Sequence, residues 1–246
     1  MPHDARPRAH GILARAETST RLHEFLDNFR PTCFGGGDEQ TYGGITLDGM
    51  ETLISRMPHQ CALRQRDSVF MDIGSGFGQL PLFVRAATGV TSVGIETNVC
   101  RHEVATLRHS AVRSAVPSGL SYLHADVRTV GLLNATHIFM HSTCFGNALT
   151  KEILALAARK DSRVRCILDA GHDDISPLVA QWGTAVRVAQ VPLTWAPIGG
   201  LPLYYFVRRG LENGARPVDG RTRATFRDRA RFAVAAAKRE ADVELG

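Results

Sequence analysis

Three carboxylates and a run of glycines carry the first chemical signal in this chain. In VFMDIGSGFGQLPLF, Val69 to Phe83, an apolar run reaches Asp72, Gly74, Gly76 and Gly78 follow at alternate positions around Ser75, and an apolar run resumes. Glycines so placed let a backbone turn sharply and approach a ligand where a Cβ would collide. Between a strand and a helix such a turn often cradles a pyrophosphate, so a nicotinamide or flavin nucleotide is one reading. The spacing here is D-x-G-x-G-x-G rather than G-x-G-x-x-G. An acidic lead-in suits a cationic amino group and suits a pyrophosphate poorly. Glu96 stands 20 residues past Gly76, at the end of TSVGIE, where it can accept hydrogen bonds from two ribose hydroxyls. Asp126, after LSYLHA, is placed for the exocyclic amine of an adenine. Taken singly these are a turn, a surface carboxylate and a helix cap. At three successive strand ends they describe an adenosyl ligand with an amino-acid tail, which is S-adenosylmethionine.

The elements that must position these groups alternate along the chain. SVFMDI, TSVGIE, LSYLHAD, THIFM and RVRCILDA are short apolar runs of strand type, and helical stretches separate them at 78–88, 98–115, 148–160 and about 174–182. Strand and helix in that order imply a parallel sheet covered by helices on both faces. VRVAQVPLTW and LPLYYFVRR follow with only a Pro/Gly turn between them, which predicts an antiparallel hairpin at the sheet edge. The whole is an α/β, Rossmann-like pattern of seven strands that resembles the class I S-adenosylmethionine-dependent methyltransferases. Ahead of it, residues 11–30 read as one helix ended by Pro31, and TCFGGGDEQTYGG, 32–44, as a loop. Thr46 is the expected cap of the next helix, with Asp48 and Glu51 near its start and Met50, Leu53, Ile54 and Met57 on one face. The expected organisation is a helical segment and loop at 1–44, a catalytic core at 45–210 and a basic extension at 211–246.

Composition excludes several classes. With 246 residues, 44% of them hydrophobic, the chain can bury one full-sized core, and no apolar run approaches the ~20 residues that cross a bilayer. The N-terminal segment lacks the apolar centre of a secretory signal. Cys33, Cys61, Cys100, Cys144 and Cys166 are odd in number and show no C-x-x-C spacing, so the expectation is a reducing intracellular compartment with no disulfide framework and no metal site. The net charge of +5 is concentrated late: ten basic residues between Arg208 and Arg239 face only Glu212, Asp219 and Asp228. Arg223, Arg227 and Arg231 recur beside an apolar stripe of Phe226, Ala230, Ala233 and Ala237, the pattern of an amphipathic helix with a basic edge suited to phosphates.

TYGG, FMDIGSGFGQLPLFVRAATG, VGIE, IFMHSTCFG and LTWAPIGGLPLYYFVRR resemble, in order, the motifs of the disruptor-of-telomeric-silencing family, histone H3 lysine methyltransferases that lack a SET domain. The likeness runs from about Cys33 to Arg209. It implies that Tyr42 belongs to a loop closing on the methionine moiety, that Asp72, Gly74, Ser75, Gly76 and Gln79 line the cofactor, and that Glu96 holds the ribose and Asp126 the adenine amine, with Val127 against the ring. It further implies that His141, Phe145, Trp195 and Tyr204 or Tyr205 wall the channel for the acceptor lysine. The expected partner is the nucleosome, with DNA phosphates met by the basic extension, and the expected location is the nucleus. Three positions depart from the family pattern. Gly44 replaces a glutamate, His141-Ser142 replaces an asparagine pair, and Val127 replaces an aromatic ring. The second change leaves open another protein, RNA or small-molecule acceptor, or a silent cofactor-binding module.

Overall fold

A computed structural model describes residues 5–25, 44–64, 66–116, 118–171, 175–193 and 200–210. Seven strands form one sheet in the order β3-β2-β1-β4-β5-β7-β6. They are β1 (Val69–Ile73), β2 (Thr91–Glu96), β3 (Leu120–His124), β4 (His137–Met140), β5 (Cys166–Ala170), β6 (Gly183–Val191) and β7 (Leu201–Arg208). The first five pair in parallel, and β7 runs antiparallel between β5 and β6. The sheet is thus the seven-stranded α/β arrangement that the alternation of apolar runs predicts. Strand order reverses between β1 and β4, and the crevice outside the carboxyl ends of the strands at such a switch point is where open α/β sheets bind ligands.

The period of two along each strand divides two cores. Phe70, Phe139, Leu168, Leu203 and Tyr205 face α1 (Ala5–Glu17), α2 (Leu47–Ser55) and α3 (Gln79–Thr88). Met71, Ile73, Ile138, Met140, Ile167 and Phe206 face the other layer, which includes α5 (Val127–Val130), α6 (Gly146–Ala158) and Trp182 after α7 (Ser176–Val179). Between β2 and β3 runs α4 (Val99–Ala111), which packs Cys100 and Val104 on Leu22 and Phe77.

Several boundaries differ from the sequence reading. The N-terminal helix begins at Ala5, because Pro7 sits in a first turn whose N–H groups have no helical partner anyway. It stops at Glu17, where the Thr18 hydroxyl donates to Arg15 O at 3.2 Å, and helix resumes at 20–25. The rest of the expected 11–30 helix lies outside the described residues. Thr46 does cap α2, its hydroxyl accepting from Gly49 N at 3.2 Å and donating to Pro192 O at 3.0 Å. Met57 falls beyond the end of that helix. The helix expected at 174–182 shrinks to Ser176–Val179.

The cysteine expectation is corrected. Cys61 and Cys166 form a disulfide across 105 residues of sequence, and Cys100 is also disulfide-bonded. No local spacing announced the first pair: packing of the 59–61 turn on β5 brings the two buried sulfurs together. Odd cysteine count and scattered positions therefore give no argument for a reducing compartment. No helix among the described residues is long and apolar enough to cross a membrane.

Candidate functional site

A cleft of about 750 Å³ opens where β1, β2, β3 and β4 end. Its floor is the glycine turn. Gly74 N and Ser75 N both donate to Ile95 O at 2.9 Å, so the turn hangs from β2, and Gly78 N closes onto Ser75 O at 2.9 Å. Gly74 has φ +72°, and a Cβ there would lie 3.0 Å from the Phe145 ring. Gly78, at φ +74°, leads into α3, and a Cβ there would lie 2.5 Å from the Tyr122 ring and 2.6 Å from Ala105. Both positions need glycine for backbone conformation and for close approach.

The three acids reach this cleft in different states. Asp72 is 4% exposed at the end of β1, and burial first, then the charge of Glu96, pushes its pKa well above the usual carboxylate range. A cation brought beside it would remove that penalty. The Glu96 carboxylate is fixed by the backbone, Oε2 accepting from Gly76 N at 2.7 Å and Oε1 from Asn98 N at 2.8 Å. Each oxygen retains a lone pair for a further donor. Asp126 caps α5, accepting from Arg128 N at 2.8 Å, and the Arg128 guanidinium forks onto both its oxygens. That engagement, chiefly the side-chain hydrogen bonds, holds its pKa down. Asp126 thus both caps α5 and lines the cleft, with Arg128 engaging both of its oxygens. Val127 is buried beside it and offers an apolar wall.

Gln79 lines the cleft while its amide donates to Glu17 Oε1 at 2.8 Å. Arg108 completes this support: Nη2 donates to Glu17 Oε2 at 2.9 Å, Nη1 to Phe77 O at 2.8 Å, and the guanidinium lies 5.3 Å from the Phe77 ring centroid. The sequence reading missed Glu17 and Arg108. A signal existed, since Arg101 and Arg108 fall on the same stripe of α4 as Val104 and Ala105, all buried. It missed Ile45, Met50, Arg101, Phe139, Leu149 and Glu152 as further cleft residues as well.

Of the residues expected to wall an acceptor channel, His141 and Phe145 line the cleft, and Thr143 between them does too. Tyr205 does not: it is wholly buried beneath α2, its hydroxyl donating to Leu53 O of that helix. Tyr204 also lies away from the cleft lining and stacks on Phe206, ring centroids 6.0 Å apart. Adjacent strand residues point to opposite faces, so a Tyr-Tyr pair could never place both rings on one wall. Tyr42 and Trp195 lie outside the described residues. Among the described residues, no group of three His, Cys, Asp or Glu could hold a metal ion.

The family model for "Histone methylation protein DOT1" matches residues 34–167, more than half of the chain. The chain belongs to the DOT1 histone methylation family. Comparison with the curated proteins finds no match. Solved structures that are similar include a human methyltransferase 10 domain containing protein, at 12% identity and TM-score 0.47, covering 66% of this chain and 80% of that one. A SAM-dependent methyltransferase from Thiobacillus denitrificans matches at 19% identity and TM-score 0.42, covering 58% and 54%. An RNA methyltransferase from Salinibacter ruber matches at 17% identity and TM-score 0.43, covering 70% and 93%. S-adenosylmethionine is the cofactor of a DOT1-family methyltransferase, and the cleft fits it. Asp72 is a buried acid suited to an ammonium, the Ser75 hydroxyl is buried in the turn with no hydrogen-bond partner among the described residues, and the glycine turn admits close backbone approach.

Proposed function

We propose that this DOT1-family chain methylates a lysine in the globular core of histone H3, in nucleosomes. The observation that carries the reading is the convergence of Asp72, the glycine turn, Glu96 and Asp126 on one cleft, within a chain whose residues 34–167 match a histone methylation family. S-adenosylmethionine, when bound, supplies a methyl group on a cationic sulfur. In this reading Asp72 holds the ammonium of the amino-acid tail, Ser75 and the backbone of Gly74 and Gly76 meet that tail, and Gln79 flanks it. Glu96 accepts from the ribose hydroxyls. Asp126 accepts from the adenine amine once the exposed Arg128 guanidinium gives up one of the carboxylate oxygens it holds, and Val127 packs on the ring.

The acceptor side acts by orientation and desolvation. Phe145 and Phe139 offer apolar surface to an incoming lysine, which lowers the pKa of its ammonium and favours the neutral amine needed for in-line displacement. His141 hydrogen-bonds the amine in place of the family's asparagine. Tyr42 and Trp195 close the channel, and the residues from 211 onward meet DNA phosphates as a basic extension to a core at 45–210, with 1–44 as an N-terminal segment. Action in the nucleus follows from a histone substrate. The Cys61–Cys166 disulfide is at odds with a reducing compartment.

A second reading, an RNA or small-molecule acceptor, is favoured by the His141-Ser142 replacement and by the absence of Tyr204 and Tyr205 from the cleft lining. The deciding experiment offers labelled S-adenosylmethionine with intact nucleosomes, free histones and total RNA in parallel, each with and without reductant. Modified residues are located by mass spectrometry. Label on an H3 core lysine, strongest on nucleosomes, is the expected result. Label on RNA alone selects the second reading, and cofactor binding without label on any acceptor marks a silent module.

A further inference from the structure

The acceptor-side segment leaves β4 at His141, turns through Ser142–Cys144 and enters α6 after Phe145. Two of its donors, both on Ser142, end on one carboxylate. Ser142 N donates to Asp169 Oδ1 at 3.0 Å and Ser142 Oγ to Asp169 Oδ2 at 2.9 Å. Asp169 is wholly buried at the end of β5, beside Met140 of β4 and Tyr204 of β7 in the sheet register, and Ser142 is 6% exposed. Burial pushes the Asp169 pKa up to about 6, against the pull of the two Ser142 hydrogen bonds. The backbone behind the pair is bare: a Cβ on Gly171 would lie 2.4 Å from Ser142 Oγ and 3.4 Å from Thr143 Oγ1. Asp169 itself does not line the cleft, whereas His141 and Thr143, on either side of Ser142, do.

We propose that Asp169 is a positioning residue: by holding both donors of Ser142 it fixes the turn that directs His141 and Phe145 at the acceptor. The inference rests on the methyl-transfer reading for its functional consequence. The geometry of the clamp does not depend on that reading. A buried carboxylate facing an apolar layer is an unfavourable placement unless its hydrogen bonds are made, and these two are made to the segment on which transfer geometry depends. A shift of the acceptor by an ångström lowers turnover far more than it lowers binding.

The test compares the full chain with Asp169→Ala, Asp169→Asn and Ser142→Ala, all loaded with S-adenosylhomocysteine for amide hydrogen exchange and assayed separately for methyl transfer. In Asp169→Ala the Ser142 amide exchanges about tenfold faster or more. Its kcat on the accepted substrate falls about tenfold or more while the acceptor KM stays within about threefold. Asp169→Asn restores both to within about threefold, since the amide oxygen accepts from Ser142 N and the amide nitrogen donates to Ser142 Oγ. Should Asp169→Ala fail to fold, Ser142→Ala, which removes one of the two bonds, shows the same changes at smaller size. Wild-type exchange and kcat in Asp169→Ala, or an Asp169→Asn as impaired as Asp169→Ala, would overturn the proposal. A lower melting temperature with unchanged kcat would do so too. If the wild type methylates no acceptor, the functional reading fails, and the exchange measurement alone then decides the clamp.

Discussion

Gly94→Ala tests whether the cofactor turn is held against β2 as tightly as the distances indicate. Gly94 pairs with Asp72 in the β1–β2 register and lies beneath the turn. A Cβ there would stand 2.6 Å from Ser75 Oγ, 2.8 Å from Ser75 Cβ and 2.7 Å from Tyr122 Cδ1. Neither neighbour can give way freely. Ser75 N is bonded to Ile95 O at 2.9 Å, and Tyr122 is anchored by its hydroxyl on Gly78 O at 2.5 Å. Overpacking of this kind costs about 1–3 kcal/mol, and stretching one turn hydrogen bond adds about 1 kcal/mol. The sum of roughly 2–4 kcal/mol lowers the melting temperature by roughly 5–15 °C for a domain of this size. Displacing Ser75 also moves the turn that lines the cleft, so affinity for S-adenosylhomocysteine falls about tenfold or more, which is about 1.4 kcal/mol. Thermal melts and titration calorimetry read the two effects. Gly131→Ala is the affinity control, because its φ of +66° and ψ of −165° lie in a region nearly confined to glycine while nothing stands within 4 Å of the added carbon, so it loses about 1–3 kcal/mol and no affinity. A Gly94→Ala protein that melts and binds like the wild type would refute the close packing of the turn on β2.

Two further outcomes follow from the buried titratable groups. Asp72→Asn removes a buried acid whose ionised form is opposed by burial and by Glu96, so the ligand-free protein melts higher. Affinity for S-adenosylhomocysteine falls about tenfold or more through loss of a charge-assisted hydrogen bond, and an unchanged affinity would remove Asp72 from the site. His137 is wholly buried, and burial, then the charge of Arg165, lowers its pKa from 6.5 to about 3. The unfolded chain therefore takes up this proton first, and the stability that His137 contributes above about pH 6.5 is lost as pH falls towards 3. Urea unfolding at stepped pH should show the stability difference between wild type and His137→Asn changing by about 1.4 kcal/mol per pH unit in that window. A pH-independent difference would mean that the imidazole is not held neutral.

The order of elements and the cofactor end of the site were legible because they are written in local pattern. Apolar runs of four to six residues alternating with helical stretches give a parallel sheet, and glycines at Gly74, Gly76 and Gly78 after Asp72 give the turn. Glu96 and Asp126 were reachable because strand ends in such a sheet necessarily converge on the switch point. What the local pattern could not carry is any pairing across long sequence separation. Cys61 meets Cys166, Glu17 meets Arg108 and Gln79, and Ser142 meets Asp169 only because the sheet and its helices bring those segments together. The face on which each ring of Tyr204-Tyr205 falls was set by strand register, which sent Tyr205 into the core beneath α2. Sequence by itself determined the fold and the acids that line the cleft, because those follow from periods of two and 3.6 and from the steric freedom of glycine. Tertiary structure alone decided which groups hold the segment after β4 in place, because a hydrogen bond between residues 142 and 169 has no period to reveal it.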